Sequence, residues 1–457
     1  MERKIRYQKV PLPVLDHVPD FVSLTDATMN ERKQRVLDQM KEQNLDTLVI
    51  YNDLEHQGNF AYLTGFATRF EEGVLVLHHS GEAYLILGNE NLKMVNHARI
   101  DAKLLHCPLF SLPNQPLDGE LDLTQLFVET GLDEKSRVGI VGWKLFAEQQ
   151  LFDVPHFIVQ AIKEIVTQGV VRNATDVFIS PVYGVRTRNN VNELAHYEFG
   201  SALASDCVLS AIQTIEPGKT EMDVAQKLVA YGQRPTIMPI AATGERFTHA
   251  EIWPRAKKIR KGDKFSVTTG FIGGLASRSG YVVNETSELP EGQQDYFEKI
   301  AQPYYRAVVA WLETVAIGKT GGDIYQEIEE VLPKETYHWT LNPGHLTAEE
   351  EWLSSPITPG SKALLQSGML LQLDIIPSVA GYAGASCENG IALADETLQA
   401  ELAETYPALW NRITTRRHYM KEILGIELPD SVLPLSSGVG FYTPYFLAKD
   451  QAFIVEK

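Results

Sequence analysis

The string GKTEMDVAQKL, beginning at Gly218, returns as GKTGGDIYQEI beginning at Gly318. Gly, Lys, Thr, Asp and Gln recur in register, and the apolar positions keep step with them. In each copy a threonine precedes an acid by three residues, the pattern of a box that caps the first turn of a helix. Two equivalent capped helices imply two copies of one α/β half folded into a single domain with an internal pseudo-twofold. Neither copy is a phosphate-binding loop. That motif needs a glycine five residues ahead of its Gly-Lys pair, and Gln213 and Glu313 stand there instead, so ATP binding is not implied.

The first part of the chain alternates differently. Val36, Leu37, Met40 and Leu45 fall near helical spacing across residues 30–45, and DTLVIYN comes next as a buried strand. Residues 73–87 read as a hairpin with His79, Ser80, Gly81 and Glu82 at its tip. RVGIVGW is a further short strand, and FIVQAIKEIV is helical. The expectation is an α/β N-terminal domain over residues 1–180 and a second, α+β domain over 181–457. The second opens with a long helix from Asn192 to Ile215, stopped by Pro217 and Gly218. LPLSSGVGFYTPYFL reads as an ordered loop, and QAFIVEK as a last strand.

With 457 residues the chain is long enough for two domains. Its net charge of −18 repels phosphates, which argues against nucleic acid as a partner. The run RAKKIRK (residues 255–261) reads as a solvated face. Cys107, Cys207 and Cys387 are far apart and show no metal-binding spacing, so neither a disulfide framework nor a structural zinc site is expected. No apolar run is long enough to cross a membrane, and the first residues do not resemble a signal peptide. The reading is a reduced, cytoplasmic protein.

Chemistry concentrates in the second domain. GDKFSVTTGFIGGLASRSGYVV, from Gly262 to Val283, is a strand, a glycine-rich turn and a strand; between Lys264 and Val283 it holds no carboxylate, although the chain has 59 acids. Four further places stand out. His249 lies between the strand TIMPIAATG and this hairpin, and His345 sits on a loop constrained by Pro343 and Gly344. Asp374 ends the apolar strand GMLLQLDIIP, where a lone acid must be partnered or functional because burying it costs several kcal/mol. Glu388 enters the apolar strand CENGIAL.

These stretches resemble the pita-bread superfamily of creatinase, prolidase, aminopeptidase P and methionine aminopeptidase. RVLDQMKEQNLDTLVIYN with NFAYLTGF is similar to the creatinase-type N-terminal domain, and RTRNNVNELAHYEFGSALASD to its link into the catalytic domain. IEPGKTEMDV resembles the first catalytic helix pair, and GML, its following D and P, and CENGIAL resemble the last two metal-strand motifs. The resemblance covers nearly the whole chain and implies a pita-bread catalytic domain, in keeping with the internal echo.

It also implies ligands. In the metallopeptidases of this family each strand of the hairpin supplies an aspartate. The first position falls here on Thr268, and the second on Arg278 or, with the loop slipped by one, Ser279. The family's histidine ligand matches His345, and its two glutamates match Asp374 and Glu388. Two divalent ions need bridging carboxylates, which these positions lack. A guanidinium has no lone pair to donate and stands in for a cation. The expected pocket therefore holds no metal cofactor, with Arg278 paired to Asp374 or Glu388; a single divalent metal on His345, Asp374 and Glu388 is the open alternative.

The function so implied is a creatinase- or aminopeptidase P-like hydrolase acting on a C–N bond of a small molecule or short peptide without a dinuclear site. His249 matches creatinase's proton-transferring histidine and, with His345, is the expected catalytic pair. Asp374, Glu388, Arg278 and Arg69 are the expected substrate-binding residues. The hairpin lacks creatinase's glutamate, which argues against creatine. The alternatives are an inactive relative that binds a small polar ligand, and an Xaa-Pro aminopeptidase with relocated ligands. For the latter, Glu349, Glu350 and Glu351 lie near His345, but the family's second histidine position is Trp352, and the acidic triplet reads as facing solvent. Relatives of the creatinase type imply a homodimer, with Arg69 approaching the partner's pocket.

Overall fold

Ile5–Lys9 (β1) lies antiparallel to Gln451–Val455 (β15), so the two ends of the chain share one small sheet. The computed structural model describes residues 4–18, 21–115, 122–247 and 250–456. It divides into two units, one spanning Leu24–Thr187, the other joining the residues up to Ser23 to Arg188–Lys457. The expected boundary at 180 thus moves a few residues on. The first residues belong with the second unit because β1 finds its hydrogen-bond partners there.

In the Leu24–Thr187 unit, β2 (Thr47–Asn52), β3 (Gly73–His78), β4 (Ala83–Leu87), β5 (Lys103–His106), β6 (Arg137–Val141) and β7 (Val170–Asn173) form one sheet in the order β5-β4-β3-β2-β6-β7. TLVIYN is buried at every position, as its unbroken apolar and β-branched run requires of a central strand. The helix Asp26–Glu42 is capped by the Thr25 hydroxyl and buries Met29, Val36 and Met40 on one face. His156–Ile165 turns Ile158, Val159 and Ile162 into a core shared with Val74, Val76, Val138 and Ile140.

The other unit carries the second large sheet. Its strands are β8 (Ile240–Thr243), β9 (Lys264–Phe271), β10 (Gly274–Tyr281), β11 (His345–Leu346), β12 (Leu370–Leu373), β13 (Ser386–Leu393) and β14 (Val432–Pro434). They run β11-β12-β13-β10-β9-β8, with β14 also paired to β13. The sequence echo is reproduced bond by bond. Thr220 caps its helix onto Asp223, and Thr320 onto Asp323, each as a reciprocal box. The Gly218 amide donates to Ile259 O and the Gly318 amide to Leu365 O, both at 2.9 Å. Return bonds from Ile259 N to Lys219 O and from Leu365 N to Lys319 O both measure 2.8 Å. The halves differ in helix length, for the first helix ends at Ala225 and the second runs to Val331. Because the two caps are equivalent, Thr220→Ala and Thr320→Ala should each cost about 1 kcal/mol of stability. Urea denaturation followed by circular dichroism checks this, and a loss at only one position would show that the pseudo-twofold is not energetic.

The helix Val191–Thr214, capped by an Asn190–Glu193 box, is buried almost all round. It presses on the turn between β9 and β10. A side chain at Gly200 would meet the Ile272 carbonyl at 1.8 Å, and Gly273, at φ 102°, would meet the Tyr197 carbonyl at 2.2 Å. The turn is therefore fixed against a helix as well as by its own bonds. One feature departs from the sequence expectations. The basic run is partly tied down, since Arg255 binds both oxygens of buried Glu221 at 3.0 Å and Lys257 donates to the Thr243 and Glu245 carbonyls. Glu198, buried within the long helix, takes Arg412 through both carboxylate oxygens and Arg416 at 2.6 Å, and Arg416 also reaches Asp16. Among the described residues no helix is long and apolar enough to cross a membrane.

Candidate active site

Strand register decides which residues share the site. In the β9–β10 hairpin Thr268 stands opposite Ser277, and Ser266 opposite Ser279. Their hydroxyls meet across the strands at 2.8 and 3.1 Å. Ser277 in turn stands opposite Glu388 of β13. Directly opposed side chains project from the same face of a sheet, so Thr268, Ser277 and Glu388 form one row. Successive side chains alternate, which sends Arg278 to the other face with Val267 and Cys387 opposite it.

Arg278 is buried there, and its donors are taken. Nε donates to Phe441 O at 2.9 Å, Nη1 to Ser277 O and Glu388 O at 2.7 and 3.1 Å, and Nη2 to Asn389 Oδ1 and Gly438 O at 2.7 and 2.6 Å. None of these acceptors is a carboxylate. The expectation that Arg278 enters the pocket, pairs with Asp374 or Glu388 and binds substrate is therefore corrected. The residue facing Glu388 is Ser277, one position earlier, because the turn at Ile272 and Gly273 sets Ser277, not Arg278, opposite both Thr268 and Glu388. Arg278 instead fastens the loop that carries Gly438 and Phe441 to the sheet.

His345, Asp374 and Glu388 do come together. One ligating atom from each lies within 4.8 Å of the others, and all three residues are buried. Gly344, at φ 119°, turns the chain into β11, which pairs with β12 at Gln372; Asp374 comes just after the end of β12. With its proton on Nδ1, His345 donates to Leu346 O at 3.1 Å and leaves the Nε2 lone pair facing the acids. Nε2 lies 3.9 Å from Asp374 Oδ2 and 3.1 Å from Glu351 Oε1, and Asp374 Oδ1 has no hydrogen-bond partner. Trp352 stacks on the imidazole, the ring centres 4.1 Å apart and the planes 20° from parallel.

Glu351 departs from the expectation of a solvent-facing triplet. Its side chain is only 19% exposed and faces the histidine. Its place beside Trp352, at the family's second histidine position, is the one signal in the sequence, and the two acids before it outweigh that signal. His249 lies outside the described residues. Arg69 belongs to the Leu24–Thr187 unit, where it is exposed, its guanidinium 4.8 Å from the centre of the Phe70 ring.

The electrostatics are those of a site short of positive charge. Burial pushes the Asp374 carboxyl up to about 6, with His345 opposing the rise and Glu351 adding to it. Burial raises Glu388 well above the usual carboxylate range; Asp374 and Glu351 push the same way, and the Gln372 amide and Arg278 only partly offset them. For His345, burial disfavours the imidazolium, but Glu351 and then Asp374 hold its pKa above the ordinary value. Lone pairs without partners, beside crowded buried carboxylates, suit a divalent cation. A pair of ions does not fit. The hairpin positions facing Glu388 are Thr268 and Ser277, whose neutral hydroxyls already bond to one another. One ion on His345, Asp374 and Glu388 does fit.

The model of the creatinase/prolidase N-terminal domain matches residues 32–164, and that of metallopeptidase family M24 matches residues 197–398. A search of curated protein sequences gave no match. Among solved structures, the prolidase from Thermococcus sibiricus superposes with a TM-score of 0.63 at 18% identity, over 82% of this chain and 96% of that one. Dipeptidase PepE from Mycobacterium ulcerans gives 0.63 and 18%, over 81% and 94%. The X-Pro aminopeptidase from Thermotoga maritima gives 0.59 and 14%, over 80% and 95%. At such identities the superpositions speak for the fold, a creatinase-type unit followed by a pita-bread domain with its pseudo-twofold. The two family models, found in the same order along the sequence, carry the assignment further: the chain belongs to the creatinase, prolidase and aminopeptidase P superfamily.

Proposed function

We propose that this chain is a prolidase- or aminopeptidase P-like hydrolase that cleaves a C–N bond of a short peptide or small molecule and works with one divalent cation in place of two. The observation that carries the reading is the buried trio His345, Asp374 and Glu388, with Oδ1 of Asp374 lacking a hydrogen-bond partner. When bound, such a cation polarises a carbonyl and acidifies a water molecule. The chain's own groups do the rest. The Nδ1–Leu346 bond and the Trp352 stack hold the imidazole in one orientation. The Thr268 and Ser277 hydroxyls offer donors and acceptors to a polar substrate group beside Glu388. The names of the structural relatives, prolidase, dipeptidase and X-Pro aminopeptidase, favour a proline-containing dipeptide or peptide terminus as substrate.

The neutral hairpin favours a second reading, a relative that keeps the fold and binds a small polar ligand without turnover. Elemental analysis, together with a screen of Xaa-Pro peptides, guanidino acids and amide acids, separates the two. The hydrolase reading expects 1:1 uptake of manganese, cobalt or zinc and release of proline from at least one peptide. Uptake without turnover of any of these would favour the binding protein, and no uptake would remove the cation from both. We further propose a homodimer in which exposed Arg69 serves the partner's pocket. Light scattering at micromolar concentration should give twice the monomer mass, and a monomer would remove that role.

A further inference from the structure

Glu351 is placed to do what the hairpin acids do not. We infer that Glu351 is a further ligand of the cation, so that the site is built from one imidazole and three carboxylates, all from the β11–β13 half of the sheet and the loop leaving β11. This rests on the single-cation reading above and extends it to a residue that the family match does not assign.

The loop is built, not merely nearby. Leu346 N donates to Ser354 O at 2.7 Å and Leu353 N returns to Leu346 O at 2.9 Å, closing the segment between them into a short excursion from the strand. Thr347 Oγ1 donates to Glu350 O, Ala348 N to the same carbonyl at 3.1 Å, and Gly273 N to Ala348 O at 2.9 Å, which ties the excursion to the hairpin turn. Trp352 lies flat on His345. Between these fixed points Glu351 is directed at the cluster, with Oε1 3.1 Å from the Nε2 atom that faces the acids. Asp374 Oδ1, beside it, is a buried polar atom without a hydrogen-bond partner, so the space between the groups is lined for a ligand. A carboxylate oxygen 3.1 Å from the imidazole nitrogen that faces two further buried carboxylates is placed to share a divalent cation with them.

Isothermal calorimetry with manganese chloride on the full chain tests this, with Glu351→Gln against the parent and Glu350→Gln as a neighbouring control. The parent should bind one ion. Glu351→Gln should weaken it on the order of 100-fold, at least the loss seen when a supporting partner of a metal ligand is removed. Glu350→Gln should bind like the parent. Manganese should raise the melting temperature of the parent and of Glu350→Gln, but of Glu351→Gln much less, a readout independent of turnover. If the parent binds one ion and Glu351→Gln binds it as tightly, Glu351 is not a ligand and the single-cation reading stands without it. If the parent binds none, both fall.

Discussion

Arg278→Ala is expected to lower the stability of the protein by about 3 kcal/mol or more, since each buried acceptor left unmatched costs about 1–3 kcal/mol. The loss is not that of an ion pair. The guanidinium holds four backbone carbonyls and the Asn389 side chain, and truncation leaves these acceptors buried and unmatched. It also releases the loop carrying Gly438 and Phe441 from β10 and β13. Urea denaturation of the variant should show an earlier midpoint with little change in slope. Below the transition its manganese affinity should stay within a few-fold of the parent's, because the guanidinium lies on the face away from the His345 cluster. Were Arg278 a stand-in cation, its removal would instead strengthen manganese binding. A variant as stable as the parent would show that the five bonds are not worth their burial.

The second large effect comes from restoring acids to the hairpin. Thr268→Asp together with Ser277→Asp puts two carboxylates directly opposite one another and in line with Glu388. Without metal this pair should destabilise the protein, since like charges facing each other across strands repel. With manganese it should bind two ions where the parent binds one, and the lost stability should return. Calorimetric stoichiometry and the melting temperature with and without metal are the measurements. The comparison with Thr268→Asp plus Arg278→Asp is decisive for the register. That pair puts its second acid among carbonyl oxygens on the wrong face, and should unfold the chain without adding a site. Two ions in the second pair and one in the first would reverse the assignment.

Why Arg278 misleads is instructive. The duplicated halves are legible because helix caps and apolar periodicity are local, and the Thr220 and Thr320 boxes form as written. His345, Asp374 and Glu388 are legible too, each marked by a chemical oddity in its own stretch: a histidine after Pro-Gly, an acid ending an apolar strand, an acid opening another. The hairpin is different. Its site face depends on parity, and an error of one residue through a turn exchanges every side chain for its neighbour. The Ser266–Ser279 and Thr268–Ser277 pairs are the missed clue, a polar alternation on the two strands that Arg278 interrupts. Glu351 is hidden for another reason, because whether an acid in a triplet faces solvent depends on backbone bonds made by Leu346, Leu353 and Ser354 and not on its neighbours in sequence. Likewise, nothing in residues 5–9 tells that their partner is at the far end of the chain.

That last pairing bears on how the molecule is made. β15 begins 442 residues after β1 ends, and among the described residues β1 pairs with no other strand. At typical elongation rates of roughly 5–20 residues per second, β1 waits on the order of tens of seconds for its partner, while the Leu24–Thr187 unit already has every strand of its own sheet. The unit that carries the His345 cluster therefore closes the β1–β15 sheet only after the strands of both large sheets have been made. The same closure makes residue 188, where the two units divide, a poor place to cut: the fragment that begins there has lost the strand that pairs with β15.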